Sequence, residues 1–151
     1  FHCTAVSMGN PHAVIFFDED HHPDTDVVTL AKRYGPALEP HARFPAKANI
    51  AFVRPRSTRF SAVVYERGAG LTAACGTGAC AIGVAAGLED RVPFGTPIEV
   101  HLPGGTLVIE VDPQLDMVHM TGPARLVFTG ELDPNTLSTK NACRTLTSIF
   151  E

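Results

Sequence analysis

The sequence predicts an α+β domain: a mostly antiparallel sheet of about eight strands wrapped around one central apolar helix. Two patterns predict it. Short runs rich in Val, Ile and Phe recur between breaks containing Gly, Pro and Asp, which is the signature of strands and turns. The stretch Thr77 to Leu88 has the opposite character, holding Ala79, Cys80, Ala81, Ile82, Val84, Ala85, Ala86 and Leu88 with no charge among them. A helix apolar on every side must be buried on every side, and a curled sheet provides that cover.

The elements follow in order. Phe1 to Val6 reads as a strand, and Ser7 to His12 as a turn around Gly9-Asn10-Pro11. Ala13 to Phe17 is a second strand. Asp18 to Asp26 is acidic and His-rich, hence a surface loop. Asp26 then caps a helix from Val27 to Arg33, which Gly35-Pro36 stops. Asn49 to Val53 and Phe60 to Tyr65 are strands about a turn at Arg54-Pro55-Arg56. Residues 68–74 hold too many small side chains for a strand interior and form a loop. Ile98 to Leu102, Thr106 to Val111, Met117 to Thr121 and Arg125 to Phe128 complete the sheet, with a hairpin turn at Pro103-Gly104-Gly105. The domain is expected over residues 1–132, with a tail of uncertain structure over 133–151.

Composition narrows the function. The 151 residues are 44% hydrophobic and 19% charged, as in a globular domain. The net charge is −4 and no basic run stands out, which disfavours nucleic acid as a partner. The longest apolar run, Ala79 to Leu88, is too short to span a bilayer, and no signal peptide is visible. The chain opens on Phe1, already in a strand, so a fragment of something longer is expected. Cys3, Cys75, Cys80 and Cys143 show no disulfide spacing, which suits a reducing, cytoplasmic setting.

The chemistry concentrates between Glu66 and Ala81. Cys75 stands at the mouth of the apolar helix, where orphan N–H groups and partial positive charge favour a thiolate and seat a carboxylate. That position predicts a lowered thiol pKa. A free cysteine is more commonly a small buried hydrophobe, and Cys80, inside the helix, fits that reading. Glu66-Arg67 reads as an exposed strand end, or as a carboxylate for a substrate ammonium beside a guanidinium fork for a substrate carboxylate. Asn10 and Asn49 serve as turn or strand-end residues, or offer amides to a polar ligand. His12 is a core-edge histidine or a group that tunes a thiol. His21 and His22 look solvated rather than metal-binding. Gly76, Gly78 and Ala81 match a dinucleotide fingerprint, but the strand ends about ten residues too early for it. A Cys75/His12/Asn hydrolase set is conceivable, and no local protease signature accompanies it.

Taken together, Met8-Gly9-Asn10-Pro11-His12-Ala13-Val14, Asn49-Ile50-Ala51-Phe52, Glu66 to Ala81 and Pro103-Gly104-Gly105 resemble the second half of the diaminopimelate epimerase family. The likeness runs from Phe1 to about Leu132 and rests most on the long Glu66 to Gly78 stretch. It implies that Cys75 is one of two catalytic cysteines. Asn10 and Asn49 would bind the distal end of the substrate, and Glu66 and Arg67 would contact it too. Gly76 and Thr77 would hold the carboxylate at the reacting carbon, while His12 and Glu66 would set the thiols' protonation. The family's fold is two similar halves, each a sheet around a helix, and it uses neither pyridoxal phosphate nor metal.

The resemblance also implies a second cysteine in another half, with its own Gly-Asn-Gly loop, and nothing here matches it. Cys80 shares a helix with Cys75 and cannot reach the opposite face of one carbon. The chain alone is therefore expected to be inactive, acting on diaminopimelate in lysine synthesis only with the N-terminal half. A homodimer is compatible with this. A related amino-acid racemase and a non-catalytic half-domain that self-associates are the competing readings; a nucleotide-binding module is the weakest.

Overall fold

The computed structural model describes residues 1–18 and 26–132. Along the chain lie β1 (Thr4–Ser7), β2 (Pro11–Phe16), α1 (Val27–Leu38), β3 (Asn49–Arg56), β4 (Arg59–Glu66), β5 (Gly70–Leu71), α2 (Gly76–Leu88), β6 (Ile98–Leu102), β7 (Gly105–Val111) and β8 (Val118–Thr121). They form an eight-stranded sheet in the order β1-β2-β3-β4-β6-β7-β8, with the short β5 on β4. The sheet curls so that both its ends, β1 and β8, touch α2.

The sheet is mixed. Most pairings are antiparallel, but β2 runs parallel to β3 and β4 parallel to β6. Both parallel pairings enclose a helix, α1 in the first and α2 in the second. Parallel neighbours cannot be joined by a tight turn and need a crossover of this kind.

The two helices cover opposite faces. Ala13, Ile15, Ile50, Phe52 and Val63 pack with Val27, Leu30 and Ala31 of α1. Their strand neighbours Val14, Ala51, Val53, Ala62 and Val64 pack with Ala79, Ile82, Ala85 and Ala86 of α2. A strand buried on both faces loses the alternation of polar and apolar residues, which is why Ile50 to Val53 reads as a continuous apolar run. Around α2 the cover is nearly complete. Gly83 lies so close to β7 that a Cβ there would stand 2.7 Å from Ile109 Cγ2. Beyond Gly76 at its start, only Thr77, Val84 and Leu88, along one stripe, are more than slightly exposed.

Several predicted boundaries are corrected. The Gly35-Pro36 pair does not stop α1, which continues to Leu38 and closes with the Glu39 N–H donating to the Gly35 carbonyl at 2.9 Å. Gly35 lies against the Tyr65 ring, where any side chain would overlap it; its smallness serves packing, not termination. Arg54-Pro55-Arg56 is not a turn. It continues β3, with Pro55 opposite Phe60, and the chain reverses at Ser57-Thr58. Its other neighbour β2 ends opposite Val53, so Pro55 occupies an edge-like position, which proline tolerates. The loop at 68–74 contains the short β5. Arg125 to Phe128 belongs to no strand; Leu126, Val127 and Phe128 are exposed at 84%, 88% and 81%. The tail at 133–151, with Cys143, and the His21-His22 pair lie outside the described residues. Among the described residues, no helix is long and apolar enough to cross a membrane.

Candidate active site

The predicted site residues converge at the N-terminal end of α2. The parallel β2–β3 register sets His12 beside Asn49. At the far end of β4 the Arg67 backbone N–H donates to Asn49 Oδ1 at 2.7 Å, tying Asn49 to the Glu66-Arg67 corner. The Arg67 guanidinium donates once to the Ala46 carbonyl at 2.9 Å, which leaves donors of its fork available. Gly68 and Gly70, both at φ +77, turn the chain back, and Thr72 then donates to Glu66 Oε1 at 2.5 Å.

Cys75 is the N-cap of α2 in extended conformation, and its carbonyl accepts the first helical bond, from Ala79 N–H, at 2.9 Å. Its Sγ lies 3.7 Å from Thr77 Oγ1. Asn10 Nδ2 reaches the same hydroxyl at 3.4 Å, and His12 Nε2 lies 2.9 Å from Asn10 Oδ1. A continuous chain of polar contacts thus runs from His12 through Asn10 and Thr77 to the thiol.

The electrostatics reverse one expectation. The thiol's pKa is raised, not lowered. Burial dominates; Thr77 and the Gly78 N–H pull it down, and the Glu66 carboxylate pushes it up again. Helix ends favour a thiolate, but Cys75 is only 7% exposed and has an acid beside it. Cys80 is also raised by burial, as its place in the core predicts. His12 is held below its ordinary value by burial, with Glu66 opposing, so its ring is neutral near pH 7. The Glu66 carboxylate is near enough to bear on the thiol, whereas the hydrogen bond of His12 goes to Asn10.

Three participants escaped the sequence reading. Thr72 restrains Glu66, and only the hairpin into β5 brings it there. Gly78 fits closely beneath the thiol: a Cβ would stand 3.1 Å from Cys75 Sγ and 3.0 Å from Val64 Cγ2, so either neighbour would have to shift. Gly104, in the β6–β7 turn, donates its N–H to the Ala73 carbonyl at 2.6 Å and so steadies the loop ahead of the thiol. The Pro-Gly-Gly sequence announces a turn, but not what the turn touches.

The mixed sheet curled on an apolar helix sets a thiol at the helix mouth with Thr77, Asn10 and the Glu66 carboxylate near it, and Asn49 ties in the Glu66-Arg67 corner. Among the described residues no cluster of three or more His, Cys, Asp or Glu side chains could hold a metal ion. A family model described as diaminopimelate epimerase matches residues 4–127. A diaminopimelate epimerase of Synechococcus sp. (strain JA-2-3B'a(2-13)) is 51% identical over 128 residues, which is 84% of this chain and 43% of that protein. One from Desulfitobacterium hafniense is 49% identical over 140 residues, 91% of this chain and 46% of the relative. A phenazine biosynthesis protein of the PhzF family from Bacillus anthracis aligns at 16% identity and a TM-score of 0.49, over 74% of this chain and 34% of that one. The chain belongs to the diaminopimelate epimerase family, and it spans less than half the length of these curated relatives.

Proposed function

We propose that this chain supplies one of the two acid–base thiols of a cofactor-independent diaminopimelate epimerase, interconverting the LL and meso forms. Epimerisation removes a proton from one face of the α-carbon and returns one to the other. A thiolate supplied by the remaining part of the enzyme takes the α-proton: the C–H bond breaks, an S–H bond forms, and the electron pair stays on carbon. Cys75 then delivers its own proton to the opposite face and becomes the thiolate. In the reverse direction the two thiols exchange roles. A raised thiol pKa suits the group that begins as the proton donor.

The carbanion needs stabilisation where its charge collects, on the adjacent carboxylate. The N–H groups of Gly76 and Thr77, at the start of α2, would be the donors for it. The amide oxygens of Asn10 and Asn49 are engaged by His12 and by the Arg67 N–H, so the Asn49 NH2 and the Asn10 N–H not directed at Thr77 are the donors for the far end of the substrate, alongside Arg67. Glu66 is the acid that faces the thiol. The observation that carries the proposal is the thiol at the α2 N-cap with Thr77, Asn10 and Glu66 gathered around it.

The test is α-proton exchange of LL-diaminopimelate in D2O, followed by NMR, with this chain alone and with the complementary part of the enzyme added. Exchange and inversion in the mixture, abolished by Cys75→Ala, are expected. Turnover by the chain alone, or a fully active Cys75→Ala mixture, refutes the two-thiol assignment.

A further inference from the structure

A glutamate carboxylate ends a side chain with three turning bonds, and it stays at one point only where something fixes it. Glu66 closes β4 and is only partly buried, so burial alone does not hold it. We propose that Thr72 is the positioning residue for this carboxylate: its hydroxyl anchors one oxygen and so keeps the other turned toward the Cys75 thiol. The inference rests on the reading of Cys75 as an acid–base thiol given above, and it concerns what holds that thiol's acidic neighbour in place.

The geometry makes Thr72 the fixed partner and Glu66 the one that is held. Thr72 Oγ1 lies 2.5 Å from Glu66 Oε1. A carboxylate accepts at both of its equivalent oxygens, so the hydroxyl is the donor and the bond is charge-assisted. The backbone on either side of Thr72 is tied down. Leu71 pairs with Tyr65, and Gly70 with Glu66, in the β4–β5 register. The Thr72 N–H donates to the Val64 carbonyl at 3.5 Å, and the next carbonyl, that of Ala73, accepts from the Gly104 N–H at 2.6 Å. Cys75 follows at the N-cap of α2. Thr72 therefore links the end of β4 to the mouth of the helix.

Glu66 bears on the thiol from β4, and Cys80 from within α2. His12, on β2, lies within the influence of Glu66, and the neighbouring Arg67 guanidinium donates to the Ala46 carbonyl. Of these groups, Thr72 touches Glu66. At the alkaline pH where a thiol titrates, a carboxylate is ionised with or without one hydrogen bond to it. Loss of the Thr72 hydroxyl therefore changes where the charge stands, not whether it is there. A charge that swings into water is screened from the sulfur, so cutting the anchor should let the thiol pKa fall.

Iodoacetamide alkylation against pH, read at Cys75 by peptide mass spectrometry, measures this in the intact chain. Glu66→Gln removes the charge, and its midpoint should lie below the parent's; a parental midpoint overturns the proposal at once. Thr72→Val removes the hydroxyl and keeps the shape. Its midpoint should lie at least halfway from the parent's to that of Glu66→Gln, and one nearer the parent's overturns the proposal. Thr72→Ala should agree with it, and serves alone if the valine variant does not fold. Thr72→Ser keeps the donor and should keep the parental midpoint; a shift equal to that of Thr72→Val assigns the effect to packing and overturns the anchor. Thr72→Val combined with Glu66→Gln should match Glu66→Gln alone, because Thr72 acts through the carboxylate; a further shift overturns that route. With the complementary part of the enzyme added, Thr72→Val should lower kcat for LL-diaminopimelate about tenfold, and Thr72→Ser should keep it within about twofold. Parental turnover by Thr72→Val overturns the proposal. If the parent mixture shows no epimerase activity, the function proposed above fails, and the alkylation series decides this inference by itself.

Discussion

Gly78→Ala measures how tightly the helix mouth is built around the thiol. In an exposed helix the change would stabilise by about 1 kcal/mol, because alanine is the better helix former. Here the new Cβ would meet Val64 Cγ2 at 3.0 Å and Cys75 Sγ at 3.1 Å. Both neighbours are buried, Val64 at 1% and Cys75 at 7% exposure, so neither can swing outward. Overpacking of this kind costs about 1–3 kcal/mol. The net expectation is a loss of up to about 2 kcal/mol once the propensity gain is set against it. Urea unfolding of the chain measures the stability, and iodoacetamide alkylation reports displacement of the sulfur. Cys75→Ala removes the sulfur, one of the three atoms within 3.3 Å of the new Cβ, so the double variant should lose less than the sum of the singles, with a coupling of at least about 0.5 kcal/mol. A Gly78→Ala chain more stable than its parent, with Cys75 alkylated at the parental rate, would show that the site has room and refute the reasoning.

The remaining predictions concern pH and the neighbouring turn. Cys75 and Cys80 both have folded pKa values above the ordinary 9.0, so the folded state keeps protons that the unfolded chain releases. Stability is full below that value and falls as pH rises through it toward the folded values. Melting temperature against pH should show this alkaline decline, and Cys80→Ala should flatten it; an identical slope in the variant contradicts the assignment. His12 has the opposite sign, its folded pKa lying below the ordinary 6.5. Its contribution is intact above 6.5 and is lost as pH falls from there toward the folded value. Denaturant midpoints between neutral and mildly acid pH should decline less in His12→Gln. Gly104→Ala places a Cβ 2.9 Å from the Ala73 carbonyl oxygen. It should lower stability by about 1–3 kcal/mol and speed alkylation of Cys75 as the loop loosens; parental rates of alkylation would detach the turn from the thiol.

What could be read from the sequence was what local pattern encodes. The uncharged run after Cys75 could only be a buried helix, and its mouth could only be where Cys75 stands. The hairpin at Pro103-Gly104-Gly105 and the Asp26 cap carry their reasons in their own residues. The parallel pairing of β2 with β3 and of β4 with β6 was not legible, because a strand's pattern states what it buries and not whom it pairs with. Gly35-Pro36 misled for a related reason: the glycine answers to Tyr65, thirty residues away in sequence. Arg125 to Phe128 has the composition of a strand, but composition supplies no neighbour. The thiol shows the same divide. Its helix position is local and argues for acidity; its burial and its nearness to Glu66 are tertiary, and they prevail. Gathering Asn10, His12, Asn49 and Glu66 at one point needed the whole sheet, so their convergence reached the sequence reading only through resemblance.

The helix that carries Cys75 is also the crossover between β4 and β6, and this ties the order of folding to the chemistry. An uncharged run of small residues gains little as an isolated helix in water. It becomes worth forming when the sheet offers it a face, which requires Arg59 to Ser61 to find Glu99 to His101 across some forty residues of chain. Contacts so distant in sequence are made late, since the loop must be closed before they repay it. The thiol pocket is then among the last features to appear on folding and among the first to open when β6 lets go of β4. Cys75 and Cys80 would be uncovered together in such an opening. The rate at which both thiols become reactive is therefore a clock for the closure of the sheet, readable with a simple alkylating agent and without any substrate.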